Sequence, residues 1–483
     1  MRSGGHLDAD GNPIRIPPGA DRVGTIILTE INDADTTLNG RYRLNWTGQG
    51  TLHLHGVSNI QRGNGLAEFD YRATGTNLVA IELTEIDAAN PLKLVACVRT
   101  DHIARYAAGE IFRPAWLDQV RGFPLFRFMD WQATNNSTQR VWADRMRASS
   151  YSYVPGAPVE VMVALCNLVG ADPWFCYPHL ATDDYITRFA QYVRTNLRAD
   201  LTAHYEFSNE VWNWQFEQAQ WANRQGQALW PGQGDAWVQY YAGRSTEMAN
   251  LLDAVYAGTT GRYRKVLSTQ AGYRGLETGI LNAPQWVAGR AGRRAPKDAH
   301  DCYAITGYFD TGKHGQEGSV EIQQWRQLGE TAAFQRMADA CDASITRLIE
   351  TWRYHKRAAD AAGLDLVMYE GGSHIVPDHG VLNQNPGLLE FIEKFHYSAH
   401  MGRLYSRAIA GFEAAGGEAF NVFVEMARSG IHGFWGGLRH AADSNPRWDA
   451  VKAALESPAV TPANPSPVEP APVTNPPPPP APV

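Results

Sequence analysis

The sequence is short of charge: Asp, Glu, Lys and Arg make up 19% of its 483 residues, against about 25% in an average soluble protein. No block of like charge occurs, which argues against a nucleic-acid partner and against a polybasic membrane patch. No apolar window is long enough for a membrane span, so none is expected. Cysteine is scarce as well, with five residues at Cys97, Cys166, Cys176, Cys302 and Cys341. None forms a C-x-x-C pair, so neither a zinc ribbon nor a thioredoxin-type site is supported. Cys166 and Cys176 are either a loop disulfide in an exported protein or a reduced, buried pair. No glycine-rich phosphate loop follows any strand-like run, and no His-rich cluster offers metal ligands. No metal and no cofactor are therefore expected, and a metal-dependent hydrolase or lyase is disfavoured. The N-terminus, Met-Arg-Ser-Gly-Gly, lacks the apolar stretch of a signal peptide, which leaves location open from that end.

What is present is apolar and aromatic. Hydrophobic residues make up 44% of the chain, net charge is −7, and there are 15 Trp and 20 Tyr. Large amphipathic rings suit either a carbohydrate cleft or an ordinary core. Proline is concentrated at the end, where residues 457–483 hold 12 of the 28 prolines. Such a segment forms no core and reads as an extended polyproline spacer. A spacer joins two parts, so a further C-terminal module, a binding domain or surface anchor, is expected beyond it.

Residues 1–90 read as a small β-sandwich-like domain. Thr25–Thr29, Gly40–Trp46, Thr51–His55, Leu66–Arg72 and Asn77–Leu83 are short strand-like runs between turn clusters such as Asn32-Asp33-Ala34-Asp35 and Gly63-Asn64-Gly65. Asp8 to Asn12 has the look of a calcium loop but lacks the distal Glu, so a tight turn is the better reading. His53 and His55 share a strand face without a third ligand and read as surface histidines.

Residues 91–456 alternate apolar runs with amphipathic segments. Strands are predicted at Leu92–Val98, Leu125–Trp131, Val159–Asn167, Ala203–Ser208, Lys265–Gln270, Tyr303–Tyr308, Leu366–Glu370 and Ala419–Glu425. Helices are predicted at Asp183–Leu197, Asp235–Tyr256, Ala332–Ala362, Leu388–Ala414 and Asp449–Leu455. Eight alternations of this kind predict an α/β chain folded as a (β/α)8 TIM barrel, favoured over a doubly wound open sheet.

Barrel active sites lie where strands end. The fourth strand ends in Ser208-Asn209-Glu210-Val211-Trp212-Asn213, and Asn-Glu is a poor way to end an apolar run for stability alone. The seventh ends in Tyr369-Glu370-Gly371-Gly372, where the glycines permit a sharp turn or close ligand approach. The two glutamates would face each other across the barrel top.

This pair resembles the signature of the clan of retaining (β/α)8 glycoside hydrolases that includes cellulases, mannanases and β-galactosidases. The resemblance covers residues 91–455 in order and spacing. The look-alikes nearest to Ser208–Asn213 are bacterial exported proteins often labelled cellulose-binding. The resemblance implies Glu210 as general acid/base and Glu370 as nucleophile, with Asn209 on the substrate 2-hydroxyl. It further implies Arg127 as the group that keeps the nucleophile ionised, Tyr308 as its support from strand six, and Trp435 as the floor of the −1 sugar subsite. Thr306 stands where many cellulases of the clan have a histidine, which puts the subfamily in doubt.

Asn167 and His179 are candidate sugar-hydroxyl ligands, and Trp131, Trp174 and His374 are candidate walls. Glu206, deeper on strand four, reads as a structural hydrogen-bonding group. Glu425 is the rival carboxylate but lacks the Asn-Glu context. Aromatics in or beside the strand-end motifs (Trp131, Trp174, Trp212, Trp214, Tyr308 and Trp435) are assigned to the cleft, Trp46 and Trp352 to packing. The expectation is a secreted or cell-surface retaining enzyme, endo-acting on a β-linked polysaccharide. The alternative is a non-catalytic carbohydrate-binding protein on a hydrolase-like barrel.

Overall fold

The computed structural model describes residues 5–8, 10–150 and 152–456. The proline-rich tail lies outside the described residues. Seven antiparallel strands come first: β1 (Val23–Ile27), β2 (Gly40–Thr47), β3 (Gly50–His55), β4 (Ser58–Gly63), β5 (Leu66–Tyr71), β6 (Val79–Ile86) and β7 (Lys93–Arg99). They form one sheet in the order β1-β6-β3 and another in the order β4-β5-β2-β7. Alternation drives the packing, since Ala67, Phe69 and Tyr71 of β5 and Val79, Ile81 and Leu83 of β6 point into a shared core. β4 was not predicted because all six of its residues are exposed and carry no apolar periodicity.

Asp8 closes a turn by accepting from the backbone of Asp10 and Asn12, and Lys93 Nζ binds its other oxygen at 2.6 Å. His53 and His55 each meet one partner on the outer sheet face, Thr84 and Glu82. Among the described residues, no group of three or more His, Cys, Asp or Glu side chains could hold a metal ion.

A second seven-stranded sheet is wholly parallel: β8 (Leu125–Arg127), β9 (Asp172–Tyr177), β10 (Ala203–Phe207), β11 (Tyr263–Ser268), β12 (Cys302–Phe309), β13 (Asp365–Ser373) and β14 (Ala419–Val422), in sequential order. Helices follow the strands, and the sheet curls into an α/β TIM barrel. In β10, Ala203, Tyr205 and Phe207 join the outer core under the helices, while His204 and Glu206 alternate inward. The barrel interior is filled by Met129, Trp174, Cys176, Val266, Cys302, Ala304, Val367 and Tyr369.

Two predicted strands are corrected. Leu92–Val98 is not barrel strand one, because Lys93–Arg99 pairs antiparallel with Gly40–Thr47 in the N-terminal sheet. Val159–Asn167 is not strand three but part of the helix Val159–Val169, with Val159, Met162, Val163 and Cys166 on its buried face. Gly170 ends that helix at φ 79°, the left-handed cap that suits glycine, and the strand follows at β9. The predicted helix Leu388–Ala414 is two, Pro386–His396 and Ala399–Ala414.

Among the described residues the barrel has seven hydrogen-bonded strands. Its end strands β8 and β14 approach each other without a ladder between them. The helix Pro114–Val120 crosses this seam. Trp116 Nε1 donates to Glu425 at 2.9 Å, Gln119 Nε2 donates to the Ala441 carbonyl, and Phe123 stacks on Trp448 at 5.2 Å.

The glycines after Glu370 neither turn the chain nor admit a ligand; they continue β13. A Cβ on Gly371 would lie 2.4 Å from Met368 Sδ, and Gly372, at φ +134°, lies against the Tyr405 hydroxyl. All five cysteines are free, Cys166 and Cys176 buried on separate elements. No helix among the described residues is long and apolar enough to cross a membrane.

Candidate active site

The site starts from Glu206, which β10 aims into the barrel. Its Oε2 accepts from Arg127 Nη2 at 2.7 Å, Arg127 Nε at 3.1 Å and Trp174 Nε1 at 3.0 Å. Ser268 Oγ donates to its Oε1. Burying a carboxyl group requires partners for its oxygens, and these donors supply them. Glu206 is thus the structural group expected from its depth.

Arg127 ends β8 with its side chain only 5% exposed. One edge of the guanidinium binds Glu206, and Nη1 reaches Glu370 Oε1 at 2.8 Å. Nη2 also donates to Asn209 Oδ1 at 2.8 Å. Its plane lies 5.1 Å from the Tyr369 ring and 5.5 Å from the Trp174 ring, contacts that suit a delocalised cation. Tyr308, from β12, donates to Glu370 Oε2 at 2.8 Å. Burial pushes the Tyr308 hydroxyl well above its ordinary range, so it remains a donor. Each oxygen of Glu370 thus has a donor.

Beyond β10 the chain turns through left-handed backbone at Ser208 (φ 66°) and Glu210 (φ 41°). Such conformations strain a residue with a Cβ and cluster at functional sites. Asn209, 2% exposed, is fixed at both ends of its amide: Oδ1 by Arg127 and Nδ2 by Asn135 at 3.0 Å, with Gln218 holding Asn135 at 2.6 Å. One Nδ2 proton is left for another acceptor. Among the described residues, Glu210 Oε2 accepts from Asn213 alone, at 3.0 Å.

The two carboxyls differ in electrostatics. Glu210 is pushed up to about 7, chiefly by burial and then by the charge of Glu370; Asn213 opposes weakly. The neighbouring charge is the smaller contribution. Burial also raises Glu370, and Arg127 and Tyr308 offset part of that rise. Of the pair, Glu370 has two donors, one of them the Arg127 cation, and so carries the negative charge, while Glu210 keeps a proton near neutrality. The arrangement supplies one poised carboxylate and one poised acid.

Trp435 and His374 form a wall beside Tyr308: the rings stack at 5.7 Å, and Trp435 Nε1 donates to His374 Nδ1 at 3.1 Å. Trp131 is 38% exposed on the β8 side and stacks on Trp116 at 5.9 Å. Three predicted ligands lie elsewhere. Asn167 is on the helix Val159–Val169 and binds Asn196 and Arg198. Trp174 is fully buried under Arg127, on the interior face of β9. His179 is 1% exposed against Trp221 and pushed down to about 4 by burial. Asn135, Asn213, Gln218, Phe423 and Trp116 were not predicted. Asn135, Asn213 and Phe423 sit on loops, Trp116 on the helix Pro114–Val120 and Gln218 on the helix Glu217–Leu229, neither of which was predicted, and only Asn213 lies within a quoted motif.

No protein-family profile matches the chain, and no curated protein matches it. Among solved structures it is similar to a GH51 arabinofuranosidase from Xanthomonas axonopodis pv. citri, at 15% identity over 67% of this chain and 59% of that one, TM-score 0.32. It is similar to an endo-β-1,4-mannanase from Thermotoga petrophila, at 12% identity over 61% and 59%, TM-score 0.28. It is also similar to a glycoside hydrolase family 5 mannosidase from Rhizomucor miehei, at 12% identity over 70% and 92%, TM-score 0.27. The chain spans less than two thirds of the length of the first two. At these values the likeness says nothing of activity.

Proposed function

We propose that this chain is a retaining glycoside hydrolase, endo-acting on a β-linked polysaccharide. The observation that carries the reading is the contrast between the two strand-end carboxyls. Glu370 is hydrogen-bonded at both oxygens by groups that stabilise its charge, and Glu210, half-buried, has a single neutral amide donor among the described residues.

In the first step Glu370 attacks the anomeric carbon and forms a glycosyl ester. The bond to the leaving oxygen breaks, and Glu210 gives that oxygen its proton. In the second step Glu210, now ionised, takes a proton from water. The hydroxide oxygen displaces Glu370 at the same carbon, and two inversions give net retention. Asn209, with one amide proton left over, donates to the 2-hydroxyl, a contact that strengthens in the transition state. Trp435, stacked on His374, forms the apolar floor.

Anomeric configuration tests this directly. Over a panel of β-linked polysaccharides, proton NMR of the first-formed product should show the β-anomer. Glu370→Gly should lose hydrolysis and, with azide, release the α-glycosyl azide from an aryl glycoside. First-formed α product, or near-normal turnover by Glu370→Gln, overturns the assignment. Binding without release of reducing ends by the intact protein would instead favour a carbohydrate-binding role.

A further inference from the structure

The seam between β8 and β14 is lined by backbone as well as by side chains. Along β8, the Asp172 N–H donates to the Pro124 carbonyl and the Phe128 N–H to the Trp174 carbonyl. In a parallel ladder, residues that pair with one neighbour alternate with residues that face the other way. Leu125 and Arg127 therefore turn their N–H and C=O groups toward the seam. Along β14, the Glu418 N–H donates to the Leu366 carbonyl, which leaves Ala419 and Asn421 facing the seam from the other side. Among the described residues, none of these four has a backbone hydrogen bond across the seam. Two open strand edges thus confront each other, a feature that folded proteins ordinarily cover.

A cavity of about 1050 Å³ lies along these edges. Leu125 and Phe420 line it from the two lips, Met129 and Tyr369 from the barrel interior, and Phe412 and Val451 from the helices outside. Every residue of β8 and β14 is half-buried, whereas every residue of β10, which has a ladder on each side, is buried. The slot offers hydrogen-bonding groups along both long sides and apolar surface on both broad ones. That is the outline of a strand in a parallel barrel, paired at both edges and covered on both faces. A strand laid there would continue the β8–β9 and β13–β14 ladders without a break and give the barrel the eight strands of its class. Parts of the two edges lie within 8 Å of each other. A strand paired on both sides needs about 9.6 Å between its neighbours, so the lips must part slightly to admit it.

We infer that the seam is a docking slot for a separate, extended apolar peptide segment, taken up parallel to β8 and β14 as an eighth strand. Recognition is by strand addition, with backbone hydrogen bonds supplying affinity and side-chain fit supplying specificity. The segment matches the four residues of β14 in length and is apolar throughout, because both of its faces are buried. It contains no proline, since a missing N–H would break one of the ladders. The proline-rich residues 457–483 do not meet that description. The inference goes beyond the hydrolase reading and does not depend on it.

The probe is a panel of blocked hexapeptides with lysine at each end and four central positions drawn from Val, Ile, Leu and Ala. Amide exchange of the full chain is followed by mass spectrometry with and without peptide. At least one peptide should slow exchange in Leu125–Arg127 and Ala419–Val422 together, roughly tenfold or more. The same peptide N-methylated at one central residue keeps its side chains, loses a backbone donor and should give no slowing. Ala419→Pro removes a donor that faces the seam and leaves the pairing of β14 with β13. It should abolish the slowing while exchange in β10 to β12 stays as in the parent. Slowing by the N-methylated peptide, slowing on one lip only, or slowing by no peptide of the panel overturns the slot. So does slowing of both lips by protein concentration alone, or by cello- and manno-oligosaccharides in place of peptide, which would give the seam to a second copy or to a glycan.

Discussion

Glu210 costs the fold stability once it loses its proton. Its ordinary value near 4.5 is raised to about 7 in the fold, so between those values the folded state binds a proton that the unfolded state does not. The stabilisation from this group is full below its unfolded value and is lost as pH rises through about 7. Glu210→Gln should therefore melt higher than the parent at pH 8, by about 3 kcal/mol at most, with the difference closing toward pH 4.5. Thermal denaturation across pH checks this. Turnover of unactivated substrate should fall by roughly 10²-fold or more in the same variant. In the parent, kcat/KM should decline above about pH 7, because the acid must be protonated to act. Arg127 is coupled differently. Arg127→Met would leave Glu206 and Glu370 buried without their counter-ion and should cost about 3–5 kcal/mol, read by chemical denaturation. Glu210 and Glu370 stood out in the sequence because each ends an apolar strand, whereas Arg127 and Tyr308 were placed beside them only by the resemblance to the hydrolase clan. Trp174 and His179 were misplaced, because a residue in a strand-end motif faces either the cleft or the core, and side-chain direction follows a register that spacing alone does not fix.

At the level of elements, the sequence carried most of β10 to β14 and the long helices, whose periodicity is strong. It failed at Val159–Val169, where an apolar run rich in valine reads as a strand. Its helical spacing of buried residues and the terminal Gly170 were the available signals. It failed at Lys93–Arg99 for another reason: a strand's local pattern does not say which sheet it joins. The seam between β8 and β14 follows from that second error, since the strand expected to fill it pairs elsewhere. Amide exchange should be faster along Leu125–Arg127 and Ala419–Val422 than along β10 to β12, whose strands have ladder partners on both sides. β13 makes the opposite demand. Gly371→Ala places a methyl group against Met368 and the Phe420 ring and should destabilise the fold by about 1–3 kcal/mol, a shift visible in melting temperature.

Across the whole molecule, the N-terminal sheets and the barrel share a stretch of chain as well as a surface. Arg428 reaches Glu30, and Arg113 reaches Thr37. Deleting residues 1–90 would strip β7 of its partner β2 and leave an unpaired strand edge on the barrel. Such a truncation should aggregate on light scattering, whereas one beginning after Arg99 should aggregate less. The seam has a mechanical meaning too. A closed barrel resists deformation as a hoop does, but a barrel without one ladder is a split ring, free to spread at the split while the rest of its circumference stays joined. Glu370 stands one strand from one lip, and Trp131 follows the strand that forms the other. A glycan lying in the cleft would act as a clip across the gap, making the substrate part of what holds the ring shut.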